Sequence, residues 1–178
     1  MSVENDFIVN IFKDIVSKMR VKNLSNTLQY LDVQYDAGRD IDILGNLSEK
    51  DASISLKDKK YPLIALKLPV IQKVTNGLLK ITIRRIVIAT LTNNEQAEVL
   101  SRFSNTEVFK TILQPCYKEF LKQVANSKWT SQGDPQAIIH LMSHNPGNQP
   151  LTKGLSDFVD IIEILDMEFY LNNIQNCK

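Results

Sequence analysis

The chain has little of what most catalytic sites are built from. Its 178 residues include two histidines, two cysteines, one tryptophan and six glycines. Two thiols, Cys116 and Cys177, make no disulfide framework and fit a chain made in a reducing cytosol. The glycines are scattered. No G-x-x-x-x-G-K-[ST] or G-x-G-x-x-G wraps backbone amides around a phosphate, and no serine stands in G-x-S-x-G. Neither sign of charge dominates: 21 basic and 20 acidic side chains leave a net charge of +1. That excludes a whole-protein field that would draw in nucleic acid or an anionic membrane. No apolar run reaches the ~20 residues of a membrane-spanning helix. The start, Met1-Ser2-Val3-Glu4-Asn5-Asp6, lacks the basic and then apolar stretches of a cleaved secretory signal. A soluble, non-exported protein is expected.

What is present is globular material. The apolar share of 43% and the charged share of 23% are average, and the length suits one domain over residues 1–178. Such a chain buries enough surface to need no staples. Residues 4–20 carry Phe7, Ile8, Ile11, Phe12, Ile15, Val16 and Met19 at helical spacing, with Ser2 as a possible cap. Glu4 and Asp6 stand at the positive end of that helix, and Lys18, Arg20 and Lys22 at the negative end.

Residues 28–35 suit a short strand, punctuated by Asp36-Ala37-Gly38. Residues 39–60 are polar, and Ile41, Ile43, Leu44 and Leu47 hint at one short helix within a long loop. Tyr61–Leu68 reads as a strand ended by Pro69. Asn76-Gly77 marks a turn into a long strand over Leu78–Leu91. In that strand Leu79, Ile81 and Ile83 point one way and Ile86 and Ile88 the other, so Arg84-Arg85 should mark a bulge or a bend.

Thr92-Asn93-Asn94-Glu95 and Ser104-Asn105-Thr106-Glu107 are capping boxes that open two central helices, the second flanked by Phe103 and Val108. Its apolar face runs to Val124, and Pro115 should kink it near Leu113. Residues 126–136 form a polar loop holding Trp129. A short apolar run, Ala137–Ser143, and a Pro/Gly/Asn-rich loop follow, so 126–154 is the second long loop. Phe158–Leu171 is the last strand. The expected fold class is α+β: a mixed or antiparallel sheet with a long β-hairpin, packed on one face by the N-terminal helix and two central helices.

Four groups of residues could carry chemistry. His140 and His144 would share a helix face, but Leu141 stands where a zinc protease has glutamate, and no third ligand is evident. They define the alternative from another class, a small metal-dependent enzyme. Cys116 lies among Ile112, Leu113 and Phe120, which is core packing. Asp157, Asp160 and Glu163 would converge only on a helix, and their segment reads as strand. Lys57, Lys59, Lys60, Arg84 and Arg85 would suit nucleic acid if they gathered into a patch; solvated surface is the plainer reading. For Arg84 and Arg85 the functional alternative is a contact across a subunit boundary. No catalytic, cofactor-binding or metal-binding residue is assigned, and no cofactor is expected. The unpatterned 39–60 and 126–154 segments favour assembly, as loops that reach a neighbouring subunit.

From Lys60 to Val124 the chain resembles the tail-terminator (tail-completion) and neck proteins of long-tailed bacteriophages. The resemblance rests on the N-terminal helix, Lys60-Tyr61-Pro62-Leu63-Ile64-Ala65-Leu66, the strand ending Ile86-Val87-Ile88-Ala89-Thr90-Leu91-Thr92, and the helix with Ile112-Leu113-Gln114-Pro115. Phe158-Val159-Asp160-Ile161-Ile162-Glu163-Ile164 is similar to the family's last strand. The 39–60 and 126–154 segments have no counterpart. The resemblance implies a non-enzymatic virion protein, assembled in the host cytoplasm as a homo-oligomeric ring, hexameric or dodecameric. Its partners would be itself, the portal-side adaptor and the tail, with at most non-specific contact to DNA in the channel and none to membrane. Another head–tail connector, a stopper or adaptor ring, is the alternative within that class.

Overall fold

The computed structural model describes residues 5–23, 29–53, 55–56, 59–75, 78–91, 108–127, 130–132, 137–144 and 159–171. In chain order these form α1 (Asn5–Ser17), β1 (Val21–Lys22), β2 (Tyr30–Leu31), β3 (Gln34–Gly38), α2 (Asp40–Ala52), β4 (Leu63–Lys67), β5 (Ile71–Thr75) and β6 (Leu78–Leu91). A π-helical turn (Phe109–Leu113) then runs into α3 (Gln114–Ala125), followed by β7 (Thr130–Gln132), β8 (Ala137–His144) and β9 (Val159–Leu171). The class is α+β. Ser2, Phe103, Trp129, Cys177, both capping boxes and the 145–154 loop lie outside the described residues. No helix among the described residues is long and apolar enough to cross a membrane.

Seven strands make one mixed sheet around the antiparallel pair β6–β9. On one side of β6, β4 pairs with its C-terminal half and β5 with its N-terminal half. Thr75 stands opposite Leu78, so β5 and β6 form the hairpin that Asn76-Gly77 announces. On the far side of β9, β8 covers Val159–Leu165 and β7 covers Phe169–Leu171. β3 lies parallel to β4 at the edge. It runs straight through Asp36-Ala37-Gly38, where a break is expected from sequence, because Gly38 still pairs with Lys67.

The phase change at Arg84-Arg85 is a bend in both strands, not a one-strand bulge. β6 and β9 keep a single register from Leu79↔Leu171 to Leu91↔Val159, skipping only Arg84 and Asp166. Asp166 takes a left-handed φ of 48° there. On one face the buried residues step from Ile83 to Ile86 in β6, and from Met167 to Ile164 in β9. An extra residue in one strand alone would have shifted the register. Matching irregularities leave it intact.

That face holds the main core. Ile8, Ile11, Phe12, Ile15, Val16 and Met19 from α1 meet Leu113, Cys116, Phe120 and Val124 over the sheet. The Phe12 ring stands edge-on to Phe169 at 4.9 Å and stacks near Phe120 at 6.3 Å. Pro115 explains the π turn. Its missing N–H breaks the α ladder, and the Gln114 N–H reaches back five residues to the Phe109 carbonyl.

Helices cover both faces, which differs from the one-sided packing expected from sequence. Ile43 and Leu47 of α2 pack on Leu63, Ala65, Val87, Ala89, Val159 and Ile161, the opposite face from Ile64, Leu66, Ile86 and Ile88. The polar 39–60 stretch is thus mostly helix. The Asp42 carboxylate starts it by accepting the Arg39 backbone N–H at 3.0 Å and its Nε at 2.9 Å. Gly38 permits the close approach: a Cβ there would meet the Asp42 Cβ at 3.0 Å.

Candidate functional site

Among the described residues, the candidate groups for chemistry lie on separate elements. His140 and His144 lie on β8, with backbones opposite Ile162 and Val159, and the ladder slips between Leu141 and His144. An extended chain rises about 3.3 Å per residue against 1.5 Å in a helix, so the helical premise for a paired ligand set fails. Cys116 is fully buried, and burial pushes its thiol up to about 12. Asp160 and Glu163 are buried on β9, and Asp157 lies outside the described residues. Among the described residues no group of three histidine, cysteine or acidic side chains is placed to hold a metal ion.

The described members of the basic group sit in different surroundings. Lys57 lies outside the described residues, and Lys60 is buried with its ammonium 5.6 Å from the Tyr61 ring centre. Arg84 and Arg85 part company at the bend. Arg84 is exposed, while Arg85 donates from Nε to Glu163 at 2.8 Å, its guanidinium also pairing there through NH2. Its other nitrogen is 4.0 Å from Asp40, which pairs in turn with Lys67. Lys67, Asp40, Arg85 and Glu163 therefore join β4, α2, β6 and β9 under the start of α2. Burial is the largest single influence on Asp40 and raises its pKa, but the Lys67 hydrogen bond and the charges of Lys67 and Arg85 together hold it below the usual carboxylate range. The network closes on itself and satisfies structure.

What remains available is surface, first of all the two sides of the sheet. Within the described residues β5 pairs only with β6, and β8 only with β9. Both of these strands carry apolar side chains in water: Ile71 at 42% and Val74 at 54% exposure on β5, Ile138 at 43% and Ile139 at 37% on β8. A strand that pairs on one side only among the described residues and exposes β-branched side chains is the form that another chain can extend.

The second surface is a groove of about 320 Å³ between β1, with Arg20 just before it, and the π turn–α3 helix. Arg20, Lys22, Lys110, Lys118 and Lys122 line it with Val21, Gln114, Pro115 and one acid, Glu119. Arg20 is positioned by donating to the Met19 carbonyl at 3.0 Å. Glu119 accepts from Gln123 at 2.7 Å and Lys122 at 3.3 Å. Burial alone would raise its pKa, but those bonds and the Arg20 backbone N–H bring it below the usual range. A sequence signal existed: 110, 114, 118 and 122 repeat every four residues on the polar side of the helix.

No family model matches this chain, and neither does any curated protein.

Proposed function

We propose that the chain is a structural, ring-forming subunit of the neck or tail terminator of a long-tailed bacteriophage. Two unlike strands, β5 and β8, each pairing on one side only among the described residues and exposing apolar side chains, carry this reading. A β5 edge on one copy and a β8 edge on the next would form a heterologous contact, and such contacts close into rings when the rotation allows. Backbone pairing across the joint supplies affinity, and Ile71, Val74, Ile138 and Ile139 leave water in the process. The internally satisfied ion-pair network and the inert thiol fit a protein that turns over no substrate. The place at the neck, the virion localisation and the head-side and tail-side partners rest on the sequence resemblance. A stopper or adaptor ring would use the same edges.

Electron micrographs of the purified full-length protein test the reading. The expected particles are rings with a central opening. A uniform field of single small particles contradicts it.

A further inference from the structure

The basic groove has a charge density that the chain as a whole does not. Five cations and one carboxylate line it, in a protein whose net charge is +1. Lys118 and Lys122 stand one helical turn apart, an arrangement that like-charge repulsion disfavours in an isolated helix. Glu119 relieves only part of it, being fixed by Gln123, Lys122 and the Arg20 backbone. Such a concave, predominantly basic surface focuses its field outward and draws anions in.

The lining also says which anion. Among the described residues it contains no aromatic ring on which a base would stack, and its apolar members there are Val21 and Pro115. A protein partner would want a desolvated apolar centre, which is missing. Lysine and arginine side chains along a helix suit a repeating phosphate. Lys110 to Lys122 spans about 18 Å of helix, over which duplex DNA presents on the order of ten phosphates.

We infer that this groove binds the phosphodiester backbone of nucleic acid and does not read base sequence. The inference does not depend on the ring. A monomer that binds DNA through the groove would overturn the ring and leave this standing, and a ring indifferent to DNA would do the reverse.

The test is fluorescence anisotropy with full-length protein and a labelled random-sequence duplex, between about 50 mM and 200 mM salt. A single strand of the same length tells duplex from single-stranded backbone, and polyglutamate serves as the acidic-peptide arm. The wild type is expected to bind at the low-salt end, alike for unrelated sequences, with affinity falling steeply as salt rises. Lys118→Gln with Lys122→Gln should flatten the log–log salt slope by about 0.9 per lysine on duplex. Lys13→Gln, on the exposed side of α1 and outside the groove, should leave it unchanged. Lys110→Gln alone is the second variant should the pair fail to fold by circular dichroism. An unchanged slope in the groove variants overturns the inference. So does equal affinity for polyglutamate, a marked base preference, or no binding by the wild type at about 50 mM salt.

Discussion

Arg85, one residue past Arg84 in the bend, reaches diagonally across the two longest strands to Glu163, which stands opposite Val87. The Glu163 side chain is only 8% exposed, against 37% for Arg85. The carboxylate is the buried member and the guanidinium its chief partner.

Removing the buried acid leaves Arg85 with only the 4.0 Å contact to Asp40, while removing both charges leaves no half of the pair behind. Glu163→Ala should therefore cost about 1–3 kcal/mol in urea unfolding, and Arg85→Met with Glu163→Leu clearly less. Equal losses for the single and the double variant would show that the pair does not act as a unit.

Asp40 gives a pH signature. Its folded pKa lies below its unfolded one, so its stabilisation is present above the unfolded value and is lost as pH falls through the folded one. Wild type should lose stability below about pH 4 by a margin that Asp40→Asn lacks. Urea midpoints measured across that range check it. The margin is small, because the Asp40 side chain is 65% exposed and screened by water.

At the centre of the main core, Phe12 touches Phe120 and Phe169. Phe12→Ala should destabilise by about 3–5 kcal/mol, measured by the same titration. A loss under about 1 kcal/mol would mean that α1 is not docked there.

Cys116 should resist alkylation at pH 8 in the native protein and react once it is unfolded, because the thiolate is the nucleophile and burial pushes the thiol up to about 12. Peptide mapping by mass spectrometry resolves it from Cys177. Rapid native labelling would contradict the packing.

Much of this fold was legible in the sequence where periodicity is strong. The stripe on α1 and the strand Leu78–Leu91 needed no tertiary information. α2 was faint because it buries only Ile43 and Leu47, two positions where a periodic pattern needs more. Its side of the sheet was nonetheless written in β4, whose unbroken Leu63-Ile64-Ala65-Leu66 is apolar on both faces, the mark of a strand covered twice. The bend was visible in β6, but its harmlessness to register depends on the matching step in β9, some eighty residues away along the chain. The basic groove was illegible for a similar reason. Its lysines look like a solvated helix face until folding brings Arg20 and Lys22 alongside.

Light scattering on two edge-blocked chains tests the assembly claim most directly. Val74→Lys blocks the β5 edge and Ile139→Lys the β8 edge, each placing a charge where a partner strand would dock. Each alone should run at the 20.3 kDa chain mass, and an equimolar mixture should give a dimer, because one good edge of each kind remains. A wild type that stays at the chain mass at every concentration contradicts the account, as does a mixture that never pairs.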